Sequence, residues 1–106
     1  MRGGLITVAL QGDYGKPRPA VVIQSDLFDE HPSVTLLPLT SGLRDTPLFR
    51  ITIEPSAENG LRQRSQIMID KIQTVPRAKV GPSLGRLSDD EQIAVNRSLM
   101  LFLGLA

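Results

Sequence analysis

The 106-residue chain sets twelve Lys and Arg against eleven Asp and Glu, a formal net charge of +1, with 41% hydrophobic and 22% charged residues. That is the composition of one soluble domain, 1–106, with a single core; no apolar run approaches a membrane span, and no signal peptide precedes the first apolar segment. The absence of cysteine excludes disulfides and thiolate metal sites and fits a reducing compartment, while a lone histidine, His31, argues against a His-based zinc site or a Ser-His-Asp triad.

Residues 5–10, Leu-Ile-Thr-Val-Ala-Leu, are rich in strand formers, and Gly12-Asp13-Tyr14-Gly15-Lys16-Pro17 then breaks them into a loop. The run at 19–23 resumes an extended segment whose proline suits only the first strand positions. Ser25 and Asp26 are good N-caps for a single helical turn at 25–29. Residues 34–39 predict a third strand, with Pro38 marking an irregularity near its end. Residues 49–54 alternate apolar and polar, so that strand has one wet face; residues 66–69 follow an Asn59-Gly60 turn and pair with it as a hairpin across a long loop, 56–64. Residues 80–87 read either as one more short strand or as an irregular approach to a helix.

From Ser88 the period changes. Ser88-Asp89-Asp90-Glu91 is a capping box with acidic residues suited to the helix dipole. Ala94-Val95, Ser98-Leu99 and Phe102-Leu103 recur at helical spacing as a stripe to cover a sheet, and Gly104 is a natural stop. The expected fold is mainly β (β+α): a small barrel of bent antiparallel strands closed by a C-terminal helix.

Two segments place phosphate-friendly groups at the ends of buried runs. In Gly-Lys-Pro-Arg-Pro-Ala-Val-Val-Ile, 15–23, Arg18 enters a strand between two prolines that restrict its backbone. In Leu-Leu-Pro-Leu-Thr-Ser, 36–41, Thr40 and Ser41 leave one. A guanidinium donates two parallel hydrogen bonds to a phosphate, and hydroxyls bind phosphate or help move a proton. The plainer readings are a surface salt bridge for Arg18 and turn-capping for the hydroxyls. Asp70, after Ile67-Met68-Ile69, either recognises base or sugar groups or pairs with Lys71. Tyr14, the only tyrosine, either stacks on a base or packs on the barrel. His31 reads as an exposed loop residue, and Gly12 and Gly15 lack the following Gly-Lys-Ser/Thr of a phosphate loop. Ten basic residues precede position 80, whereas Asp89, Asp90 and Glu91 cluster late, so a basic face on a nearly neutral molecule is one reading and scattered surface charge the other.

In order and spacing these segments resemble the MazF/PemK family of toxin ribonucleases from bacterial toxin–antitoxin pairs. The carriers are residues 3–8, the Arg-Pro-Ala-Val-Val element at 18–22, the Pro-Leu-Thr-Ser element at 38–41, Ile-Asp-Lys-Ile-Gln-Thr-Val at 69–75, and Leu-Gly-Arg-Leu-Ser at 84–88. The resemblance implies an SH3-like or CcdB-like barrel, a cytoplasmic homodimer without cofactor or metal, and cleavage of single-stranded RNA (mRNA) by 2′-hydroxyl attack at short sequences. It also implies a cognate antitoxin, with DNA reached only indirectly through the antitoxin complex, and no membrane. By position, Arg18 stabilises the phosphorane and serves as acid, Thr40 positions the phosphate, and Asp70 recognises bases or orients the sugar. Ser41, Lys16, Tyr14, Asp13 and Lys71 are assigned to RNA binding. The chain departs from the family's pattern in carrying Gly3-Gly4 where Gly-Asp is common, in a short loop whose only acid is Asp13, and in Met68 where some relatives have arginine. Two rival readings use the same barrel: a CcdB-like gyrase inhibitor, which relies on a tryptophan near the final helix that this chain lacks, and a barrel kept as a binding module.

Overall fold

A computed structural model describes residues 1–10 and 16–105. Among these, seven antiparallel strands form one bent sheet in the order β4-β5-β3-β2-β1-β7, with β6 paired to β3. β1 (Gly4–Ala9) lies against β2 (Pro17–Val22), with Leu5 opposite Val21 and Val8 opposite Arg18. β3 (Ser33–Thr40) pairs β2 on one edge, Ala20 facing Pro38.

The other edge of β3 serves two partners. Ser33 to Leu36 pair with β6 (Gln73–Pro76), and Leu39 and Thr40 pair with β5 (Ser65–Met68). The irregularity expected at Pro38 is this change of partner: a residue with no N–H sits between the two ladders. β4 (Arg50–Ile53) completes the expected hairpin with β5. β7 (Val80–Arg86) is a strand, pairing β1 through two register shifts that increase the local bend.

The apolar runs at 4–6 of β1, 20–22 of β2 and 36–39 of β3 are buried on both faces, which is why they read as continuous rather than alternating. Leu5, Val21, Leu37 and Leu39 join Ile53, Ile67, Ile69 and Leu87 in one cluster; Ile6, Val8, Ala20, Val22, Val34, Leu36 and Val75 form a second. The helix α1 (Asp89–Leu103) closes the first cluster with Val95 and Leu99.

The capping box forms as the sequence predicts. Ser88 Oγ accepts from the Glu91 amide at 3.2 Å, and Glu91 Oε1 accepts from the Ser88 amide at 2.8 Å. Gly104 ends the helix at φ 73°, where a side chain would be strained. Ser88→Ala should cost about 1 kcal/mol, a fall in Tm of roughly 4–8 °C measurable by calorimetry. The apolar stripe is shorter than expected: Phe102 and Leu103 are each 48% exposed, because the helix runs past the edge of the cluster it covers.

The single helical turn at 25–29 is a 3-10 turn, Asp26–Phe28, whose first amides are capped by Ser25 Oγ accepting from Leu27 N at 3.2 Å. It also anchors the N-terminus. The Met1 ammonium bonds Asp26 and, at 2.9 Å, Asp29; the bond to Asp26 raises the amine above its ordinary 8.0 and lowers Asp26 below 3.8. No helix among the described residues is long and apolar enough to cross a membrane.

Candidate active site

The topology brings Arg18 and the Thr40-Ser41 pair together. β2 lies between β1 and β3, so Arg18 near the start of β2 and Thr40 at the end of antiparallel β3 emerge at the same end of the sheet. Between them lies a cavity of about 670 Å³ whose wall includes Thr7, Arg18, Thr40, Ser41, Arg62 and Gln63. Pro17, Pro19, Leu39, Leu61 and Leu84 supply apolar surface, and no carboxylate of the described residues lines it. Guanidinium and hydroxyl groups beside an apolar floor match the two halves of a nucleotide, phosphate and base.

Thr40 is oriented by the turn it begins. Its Oγ1 accepts from the Gly42 amide at 3.1 Å, which occupies a lone pair and leaves the hydroxyl proton for an acceptor in the cavity. The turn-capping reading and the phosphate-binding reading of this residue are therefore compatible. Ser41 beside it is exposed.

The third wall is a loop that the hairpin prediction left without a role. Asn59, 1% exposed, organises it: Oδ1 accepts from the amides of Ser56 at 3.0 Å and Leu61 at 2.9 Å, while Nδ2 donates to Glu54 O at 2.9 Å. The Arg86 amide donates to Glu58 O at 3.0 Å, fastening the loop to β7. Ser65 Oγ donates to Gln63 O at 2.9 Å and holds the far end. Arg62 and Gln63 are thus carried on fixed backbone. Sequence reasoning missed Thr7, Arg62, Gln63, Ser65 and Leu84; the available signal was the Arg-Gln-Arg run just after Asn59-Gly60.

The remaining candidates lie elsewhere. Lys16 is exposed immediately before β2 and does not line the cavity. Asp13 and Tyr14 lie outside the described residues. Asp70 and Lys71 sit in the 3-10 turn Ile69–Lys71 beyond the opposite end of β5, held by buried Ile69, whose amide donates to Phe49 O at 3.0 Å. That turn packs against α1, and neither residue lines the cavity. Asp70 Oδ2 is 4.0 Å from Lys71 Nζ, and Asp70 Oδ1 is buried with no hydrogen-bond partner among the described residues.

The PemK-like, MazF-like toxin family of type II toxin–antitoxin systems matches residues 1–103. The chain belongs to this family. A probable endoribonuclease MazF from Mycolicibacterium smegmatis is 46% identical over 106 residues, covering 99% of this chain and 97% of that protein. The Mycobacterium tuberculosis toxin MazF-mt6 superposes with a TM-score of 0.80 at 25% identity, over 96% of this chain and 98% of that one. An endoribonuclease in complex with its cognate antitoxin, from a mycobacterial species, shares the fold with a TM-score of 0.84 at 22% identity, over 100% and 96% of the two chains. The chain is a homologue of MazF endoribonuclease toxins, with the barrel-like, mainly β fold that the resemblance implied. These likenesses support the ribonuclease reading and lend nothing to the gyrase-inhibitor one.

Proposed function

We propose that this MazF-like toxin cleaves single-stranded RNA at short sequences without a metal, by attack of a ribose 2′-hydroxyl on the adjacent phosphorus. The observation that carries the reading is the cavity itself: Arg18, Thr40 and Ser41 line one surface with Arg62 and no described carboxylate. In the reaction the O2′–P bond forms and the P–O5′ bond breaks. The 2′-hydroxyl gives up its proton, the departing 5′-oxygen takes one, and a cyclic phosphate and a 5′-hydroxyl result. Negative charge grows on the phosphorane oxygens along the way, and fixed donors stabilise that charge more than the starting diester. Arg18 supplies the fork of donors and Thr40 the oriented hydroxyl. Arg62 and Gln63 then hold the flanking nucleotide, Gln63 through its amide and Arg62 through charge or stacking.

Restraint by a cognate antitoxin follows from the same electrostatics: an extended acidic segment laid over the cavity would compete with RNA. The relative that shares the fold in complex with its antitoxin supports this part of the reading. A cytoplasmic homodimer completes it. Met100, Leu101, Phe102 and Leu103 leave apolar surface at the end of α1 that a second copy would cover.

The test is digestion of RNA by the purified protein in excess EDTA, mapped by primer extension, with the product ends characterised. Cleavage should proceed undiminished and leave 5′ ends that a kinase labels without prior phosphatase treatment. An absolute requirement for a divalent ion, or 5′-phosphate products, would overturn the mechanism.

A further inference from the structure

β1 and β7 contribute Thr7 and Leu84 to the cavity wall, and the ladder between these strands is irregular where they do so. Leu5 faces Gly85, Ile6 faces Ser83 and Val8 faces Val80. β7 therefore carries one extra residue at Leu84, and a second where Gly81 and Pro82 together oppose Thr7. Such bulges bend a strand and re-aim its side chains. Gly81 leaves the room that Thr7 needs: a Cβ there would overlap Thr7 Oγ1 and stand 3.1 Å from Thr7 O.

The neighbours of Thr7 follow from strand alternation. Leu5, Val21 and Leu37 form a buried row across β1, β2 and β3, with Leu5 opposite Val21 and Val21 opposite Leu37. Two residues further along each strand stand Thr7, Pro19 and Leu39, on the same face, and all three line the cavity. Thr7 is the polar member of an otherwise apolar row, beside Leu61 and Leu84. An apolar floor with one placed polar group is suited to a flat ring, whose faces need apolar contact and whose edge needs a hydrogen bond.

The hydroxyl is available for that bond. It has no hydrogen-bond partner among the described residues, and Thr7 is only partly buried. The other strand threonines are engaged. Thr35 and Thr74 bond each other at 2.8 Å, Thr52 Oγ1 accepts from Gln66 Nε2 at 3.2 Å, and Thr40 Oγ1 takes the Gly42 amide. Valine has the same strand preference and shape as threonine, so packing alone does not call for a hydroxyl at position 7.

Resting on the ribonuclease reading above, we propose that Thr7 is a specificity-determining residue whose hydroxyl reads the edge of a nucleobase seated on this floor. Arg18 stands on the adjacent strand one residue out of step with Thr7, since it pairs with Val8. Neighbouring strands are about 4.8 Å apart, so a nucleotide whose phosphate is held by Arg18 reaches Thr7 with its base. A phosphate is drawn to Arg18 and Arg62, whereas a lone neutral hydroxyl among apolar side chains suits a base edge, to which it both donates and accepts.

The experiment measures kcat/KM on oligoribonucleotides built from the mapped cleavage sequence, with each flanking position changed in turn to the other bases and to an abasic nucleotide. Thr7→Val keeps the shape and removes the hydroxyl. At one flanking position it should narrow the preference for the cognate base about tenfold, and the loss should fall on the cognate substrate. With an abasic nucleotide at that position, Thr7→Val and wild type should cleave alike, because the bond is already missing. Thr7→Ser should restore the preference. The effect should persist across a salt series, since no charge is removed. Thermal melting reports folding, and Thr7→Ala replaces Thr7→Val should the latter fail to fold.

Unchanged base ratios in Thr7→Val overturn the proposal and leave the ribonuclease reading standing. An equal loss on every substrate, abasic ones included, also overturns it, because the hydroxyl then serves the fold or the sugar-phosphate chain. If Thr7→Val weakens an acidic antitoxin peptide while its base ratios stay those of wild type, the hydroxyl reads a protein and the proposal is again overturned. Failure of the wild-type protein to cleave any RNA overturns the ribonuclease reading, and the role of Thr7 with it.

Discussion

Arg18→Ala is expected to lower RNA cleavage by about 10²–10³-fold while the protein remains folded. The side chain is exposed on β2, and the register of that strand is set by backbone pairing with β1 and by buried Ala20, Val21 and Val22. On the proposed mechanism, loss of the guanidinium would therefore remove transition-state donors and leave the sheet intact. The comparison with Arg18→Lys is informative, because lysine keeps the charge and loses the planar fork. Partial rescue by Lys assigns the remainder of the effect to bidentate geometry, whereas full rescue assigns it to charge alone. The measurement is initial rate with EDTA present over a range of RNA concentrations up to saturation, so that binding and chemistry separate into KM and kcat. A rate within a few-fold of wild type in Arg18→Ala would remove this residue from the chemistry and redirect attention to Arg62.

Much of this architecture is readable locally. The capping box needs four consecutive residues and forms as written, and the alternation of Phe49 to Glu54 yields a hairpin strand with one buried face. The pairing of Arg18 with Thr40-Ser41 was legible only as a possibility, since nothing local says that residues 22 positions apart lie side by side. What escaped the sequence was non-local throughout. β6 is four residues ending in proline, too short to show a period, and exists because the first half of β3 has a free edge. Asp70 carries a suitable side chain, yet its location depends on which end of β5 faces the cavity, and that is decided by the buried anchor Ile69. The exposed end of α1 reflects where the sheet stops, which no helical periodicity encodes.

The loop that forms the third wall yields the prediction with the largest expected effect on stability. Gly60 has φ +68°, and a Cβ there would stand 2.1 Å from Leu84 O and 2.9 Å from Leu84 C, both backbone atoms of β7. No rotamer change relieves such a clash, so either the loop or the strand must move. Alanine adds left-handed strain of about 1 kcal/mol, and the displacement breaks bonds that Asn59 makes to Ser56, Leu61 and Glu54. Gly60→Ala should therefore cost about 2–4 kcal/mol, which corresponds to a fall in Tm of roughly 10–25 °C. Activity should fall as well at temperatures where the variant is still folded, because Leu61, Arg62 and Gln63 shift with the loop. Arg62→Ala separates the two effects: it should weaken RNA binding with an unchanged Tm, since that side chain is exposed and the loop's fastening lies in Asn59 and Ser65. A Gly60→Ala protein that melts like wild type would mean that β7 yields to the loop, and the fixed placement of Arg62 and Gln63 would then fall with it.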